Sequence, residues 1–114
     1  MVIIMNIQIF GKPKCFDTKK AERFFKERGI RFQGIDLKGV GMSRGEFNSV
    51  RAVVGLDALI DASVPGAEIL KYLAHDVDRE EKLFENQAFI KTPVVRNGKS
   101  ATVGYCPAVW KEWS

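Results

Sequence analysis

The spacing of apolar positions changes along the chain in an order that predicts alternating strands and helices. Residues 2–10 are mostly apolar and rich in isoleucine, the pattern of a strand buried on both faces. Gly11-Lys12-Pro13-Lys14 breaks that run. From Asp17 the spacing becomes helical: Ala21, Phe24 and Phe25 share one face, while Lys19, Lys20, Glu22, Arg23, Lys26 and Glu27 face water. Gly29 supplies a stop. Residues 31–37 alternate, with Phe32, Ile35 and Leu37 apolar, and predict a second strand, parallel to the first through a right-handed crossover.

The middle of the chain reads as helical. Ser43-Arg44-Gly45-Glu46 has the capping-box spacing, and Phe47, Val50, Val53 and Val54 follow on one face. Gly55 ends that helix, residues 57–61 form a turn, and Val64-Pro65-Gly66 is a break between helical pieces rather than a linker. Ile69, Leu70 and Leu73, then Leu83, Phe84 and Ala88, continue the core face, with the charged residues 76–82 between them read as a solvated face. The end returns to strand, with Pro93-Val94-Val95-Arg96, the turn signal Asn97-Gly98, then residues 99–103. Residues 107–113 close the chain with a short helix, on which Trp110 and Trp113 are expected to cover the sheet. This order is β-α-β, a helical insert over about residues 43–89, then β-β-α. It predicts an α/β protein with a thioredoxin-like fold and a mixed four-stranded sheet.

Composition narrows the classes. A length of 114 residues suits one domain over residues 1–114, and 46% hydrophobic with 28% charged residues is the balance of a globular chain. No apolar run approaches the roughly 20 residues of a membrane span. The start of the chain carries no basic flank or small-residue cleavage site, so a cytoplasmic protein is expected. The net charge of +4 comes without basic runs interleaved with aromatics, which disfavours nucleic acid as a partner. Two cysteines and one histidine cannot supply a four-ligand zinc site, and no bound cofactor is expected. His75, beside Asp76 at a helix end, reads as a surface cap rather than a base.

In an open α/β sheet the working crevice lies beyond the carboxyl ends of the parallel strands. The loop after strand one therefore draws attention, and Cys15 lies in it. A cysteine at the amino end of a helix faces unpaired N–H groups and the positive end of the helix dipole, which favour thiolate over thiol. Lys12, Lys14 and Lys19 add positive charge nearby, opposed by Asp17, and Gly11 and Pro13 shape the turn. The third residue after Cys15 is Thr18, so this loop holds no Cys-x-x-Cys pair. The Thr18 hydroxyl is placed either to donate to the sulfur or to cap the helix. Lys91-Thr92-Pro93 opens the hairpin; by sequence alone its Thr-Pro bond is equally compatible with the commoner trans form, and only a thioredoxin fold, where this proline is cis and faces the reactive cysteine, promotes the cis reading. The backbone before it can then pair with an extended peptide or a glutathione-like chain. Cys106 follows the closing loop and reads either as a resolving thiol or as a spectator beside Pro107.

Cys15-Phe16-Asp17-Thr18-Lys19-Lys20-Ala21, Lys91-Thr92-Pro93-Val94-Val95 and Asn97-Gly98-Lys99 leading to Val103-Gly104-Tyr105 together resemble the ArsC-type arsenate reductase family, over essentially the whole chain. Its branches include arsenate reductases, Spx-type transcription regulators and glutathione-linked thiol reductases. The resemblance implies Cys15 as nucleophile, with Thr92, Pro93 and Tyr105 at the substrate side. It also implies glutathione or a thiol protein as partner, or RNA polymerase if the regulator branch applies. The reductases hold their oxyanion with three arginines; Ser63, Thr92 and Tyr105 occupy those places here, with Lys91 and Arg96 nearby. The regulators carry a Cys-x-x-Cys switch that Thr18 removes. The function expected on these grounds is a single-cysteine thiol–disulfide oxidoreductase, with a regulator or an arsenate reductase as alternatives.

Overall fold

β1 (Ile7–Gly11) and β2 (Phe32–Asp36) pair in parallel, joined by helix α1 (Phe16–Glu27), in a computed structural model that describes residues 6–113. Residues 2–5 of the expected first strand lie outside the described residues. β3 (Val94–Asn97) runs antiparallel to β1, and β4 (Ser100–Val103) antiparallel to β3, giving a mixed four-stranded sheet in the order β2-β1-β3-β4. This is the thioredoxin-like arrangement expected from the element order. β1 and β3 are the inner strands, and β1, paired on both sides with strands distant in sequence, is buried along its whole length.

Alternation along β1 and β3 divides the core into two layers. Ile7, Ile9 and Val95 meet Ala21, Phe24 and Phe25 of α1 and Trp110 of α5 (Pro107–Trp113). Phe10 and Val94 meet the insert on the opposite face: Phe47 and Val50 of α2 (Arg44–Val54), Leu56 and Leu59 of α3 (Leu56–Leu59), and Leu83 of α4 (Asp76–Glu85). The indole N–H of Trp110 donates to the Thr102 hydroxyl at 2.8 Å, so the largest buried side chain leaves no orphan donor. Trp113 packs at the edge of that layer, as its helical spacing predicts.

Local signals hold at most boundaries. α1 ends in a Schellman motif: Gly29 has φ +68°, its N–H reaches the Lys26 carbonyl, and the Ile30 N–H reaches that of Phe25. The Ser43–Glu46 capping box forms with both reciprocal bonds. Glu46 also accepts from Gln8 at 2.7 Å, tying the start of α2 to the central strand. Gly55, with φ +86°, ends α2.

Other expectations are corrected. Val53 and Ile69 are exposed rather than core, and residues 67–72 form a 3₁₀ helix, not an α-helix. The expected turn over residues 57–61 is mostly the short helix α3, which starts at Leu56, and Ile60 bridges Ile90. The hairpin turn is Gly98-Lys99: Asn97 stays in β3 opposite Ser100, and only Gly98 has positive φ, as at the first central position of a II′ turn. The charged stretch over residues 76–82 is partly paired, since Arg79 joins Asp57 and Asp76, Glu80 pairs with Arg51, and Glu81 with Arg44. His75 is exposed at the N-cap of α4 without a side-chain capping bond.

Candidate active site

The turn after β1 is built by its own sequence. Pro13 and Lys14 are its two central residues, and it is closed by the Cys15 N–H on the Lys12 carbonyl at 3.1 Å. That turn delivers Cys15 to the N-cap of α1, which starts at Phe16, one residue earlier than the sequence places it. The Cys15 carbonyl accepts the Lys19 N–H, and its thiol makes no capping bond, so the first helical N–H groups stay available around the sulfur.

Cys15 is half-buried, a free thiol, and donates to the Thr92 carbonyl oxygen at 3.7 Å. Thr92 is buried, and its bond to Pro93 is cis, as the fold predicts. Burial raises the Cys15 pKa, but the Thr18 and Thr92 side chains and the Thr18 and Asp17 backbone N–H groups together outweigh it, and the net shift is downward. The Thr18 hydroxyl is buried and has no hydrogen-bond partner, and it is the largest of the influences that lower the Cys15 pKa. The helix end takes no bond from that side chain.

The sulfur opens into a cavity of about 350 Å³ lined by Lys12, Pro13, Lys14, Cys15, Lys38, Asp61 and Thr92. Lys12 donates to the Ala88 carbonyl at 2.7 Å, linking the reactive turn to the insert. Burial lowers the Lys12 pKa, while Asp61 and Cys15 raise it and Lys38 lowers it. Asp61 is held below the ordinary carboxylate range, chiefly by the Ser63 hydroxyl at 2.6 Å.

Lys12, Lys14, Thr18, Thr92 and Pro93 therefore gather at the sulfur or its cavity. Lys19 lines a neighbouring depression with Glu22 and Asp36. Tyr105 is not brought to the cavity: it stacks edge-on against Trp110, 5.5 Å between centroids, with Lys20 over its ring. Cys106 donates to the Val103 carbonyl and packs against the α1-side core. Arg96 is held on the insert side of the sheet by Gln8 and Ser49. Lys38 and Asp61 are the site residues that sequence reasoning missed. Lys38 follows β2, whose carboxyl end must emerge beside that of parallel β1, and that signal was present. Asp61 sits in the insert and reaches the cavity only through packing.

A helix-cap cysteine faces the Thr92–Pro93 peptide on a mixed sheet of order β2-β1-β3-β4, a fold shared by solved structures. The chain has the ArsC-like thioredoxin fold. An arsenate reductase from Vibrio cholerae superposes with a TM-score of 0.83 at 19% identity, covering 98% of this chain and 100% of that one. The glutaredoxin-like NrdH-redoxin from Escherichia coli gives a TM-score of 0.51 at 18% identity, covering 95% and 93%. In sequence, the chain is 26% identical over 109 residues to global transcriptional regulator Spx 2 of Oceanobacillus iheyensis, which spans 89% of this chain and 78% of the regulator. No protein-family model matches the chain. Among the described residues, no helix is long and apolar enough to cross a membrane, and no three His, Cys, Asp or Glu side chains are grouped as metal ligands.

Proposed function

We propose that this protein is a thiol–disulfide oxidoreductase that works through the single thiolate of Cys15, in a reducing compartment such as the cytoplasm. The observation that carries this reading is the placement of the sulfur: at the N-cap of α1, open to a cavity, and beside the carbonyl of the residue before cis-Pro93. The thiolate attacks the glutathione sulfur of a mixed disulfide. The old S–S bond breaks, Cys15 becomes joined to glutathione, and the partner leaves as a thiolate that takes a proton from water. Thr18 stands where a second cysteine would resolve this intermediate, so an external thiol does so. A second glutathione thiolate attacks the glutathione sulfur, oxidised glutathione departs, and Cys15 returns as thiolate. The Thr92 backbone positions the extended chain of the partner, and Cys106 is a spectator.

Reduction of a glutathione mixed disulfide by reduced glutathione tests this. Wild type turns over and Cys15→Ser does not; a Cys15 alkylation midpoint at or above the ordinary thiol value of about 8.5 contradicts it.

The 26% identical relative named as a transcriptional regulator favours a second reading. There the insert carries contacts to RNA polymerase, through exposed Ile69, Tyr72 and Val77. Retention of RNA polymerase by the purified protein, without turnover of the mixed disulfide, supports that reading over the first. Arsenate reduction fits less well, because Ser63, Thr92 and Tyr105 stand at the places of the arginines.

A further inference from the structure

Three ammonium groups surround the Cys15 cavity, and they arrive from two loops. Lys12 and Lys14 flank Pro13 after β1, and Lys38 follows β2. The backbone fixes that second loop beside the first. The Leu37 N–H donates to the Gly11 carbonyl at 3.0 Å, carrying the pairing past the end of β2. The Lys38 N–H then donates to Asp36 Oδ1 at 2.9 Å, and the Asp36 carbonyl accepts from Gly39, Val40 and Gly41. Lys38 is therefore held at the cavity by hydrogen-bonded chain.

Among the described residues, Asp61 is the one carboxylate in the lining. Its Oδ1 accepts both the N–H and the hydroxyl of Ser63, at 3.0 and 2.6 Å. With Asp61 and Cys15 both ionised, positive charge is still in excess around the sulfur. Like charges gathered in a partly desolvated space repel one another, and an incoming anion relieves that repulsion. Lys12 is anchored on the Ala88 carbonyl, whereas Lys14 and Lys38 are exposed and able to meet a ligand.

We propose that Lys14 and Lys38, with Lys12 behind them, form a charge-selecting rim, and that Cys15 reacts preferentially with disulfides carrying carboxylates close to the S–S bond. This rests on the oxidoreductase reading above and names its substrate class. The chemistry is one exchange: Cys15 thiolate joins one sulfur of the disulfide, and the other sulfur leaves as a carboxylate-bearing thiolate.

The test compares second-order rates of reduced protein with dithiodipropionate, which is anionic, 2-hydroxyethyl disulfide, which is neutral, and cystamine, which is cationic. Each rate is divided by that of a simple free thiol with the same disulfide, which removes intrinsic disulfide reactivity. At low ionic strength the corrected anionic-to-neutral ratio in wild type is expected near tenfold, with cystamine slowest. It falls toward one in the Lys14→Gln/Lys38→Gln double variant and is kept in Lys14→Arg/Lys38→Arg. Any change in Cys15 acidity cancels in the ratio, and circular dichroism reports that the fold is intact. A wild-type ratio of one, or a ratio unmoved by the double glutamine variant, overturns this inference alone. Failure of Cys15 to react with any of the three overturns the oxidoreductase reading as well.

Discussion

The side chain of Thr18 occupies the space that a Cβ on Gly11 would need, with its hydroxyl 2.7 Å from that position. Gly11 has ordinary backbone geometry, so room for Thr18 rather than a positive φ demands glycine there. The last residue of β1 and the first turn of α1 are thereby matched, and the hydroxyl beside the sulfur is part of the fit. Gly11→Ala is expected to overpack this contact and cost about 1–3 kcal/mol, read by chemical denaturation. The Cys15 alkylation midpoint should rise in the same variant as Thr18 moves away.

Thr18→Val separates the two roles. It keeps the branched shape that fits against Gly11 and removes a buried hydroxyl that has no partner in the thiol form. Stability should hold or increase by up to ~1 kcal/mol, because no hydrogen bond is lost and an unsatisfied group is gone. The Cys15 pKa should nonetheless rise, because a donor to the thiolate is removed. A marked loss of stability with an unchanged midpoint would assign Thr18 to packing alone.

The lowered Cys15 pKa sets the sign of one pH dependence. A group whose acidity is increased by folding adds stability above its unfolded pKa and loses it as pH falls through the folded one. Wild type should therefore gain stability as pH rises from the depressed folded value toward the ordinary thiol value, and Cys15→Ser should lack that increment. Denaturant midpoints of both proteins across the window measure it.

Arg96 supplies a contrast between fold and site. Its guanidinium donates to Gln8 at 2.7 Å and to Ser49 at 3.3 Å, on the face away from α1. Gln8 in turn donates to Glu46, which caps α2. Arg96→Met should cost about 1–3 kcal/mol by leaving buried Gln8 without its donor. Turnover and alkylation at Cys15 should be unchanged at temperatures where the variant is folded.

Thr102→Val tests the α5 layer. It leaves the buried Trp110 indole N–H without its acceptor, at a cost of about 1–3 kcal/mol, whereas Trp110→Ala should cost about 3–5 kcal/mol through lost packing. Thermal denaturation distinguishes the two, and Cys15 reactivity is the control that should stay constant.

The sequence by itself determined what rests on short-range chemistry. The apolar run of β1, the helical spacing of Ala21, Phe24 and Phe25, the Gly29 stop and the capping box at Ser43 are each decided within a few residues, and each stands in the structure. The placement of Cys15 at a strand-to-helix turn was legible for the same reason. Only the tertiary structure decided what depends on elements far apart in the chain. The insert carries Asp61 to the sulfur and takes Lys12 onto the Ala88 carbonyl, and sheet pairing brings Lys38 beside Lys12. Trp110 draws Tyr105 to the α1 side, and Gln8 holds Arg96 on the other face. Spacing along a chain reports which face of its own element a side chain occupies. Which other element meets that face is settled by packing, and that is how Lys38 and Asp61 joined the lysines already beside Cys15.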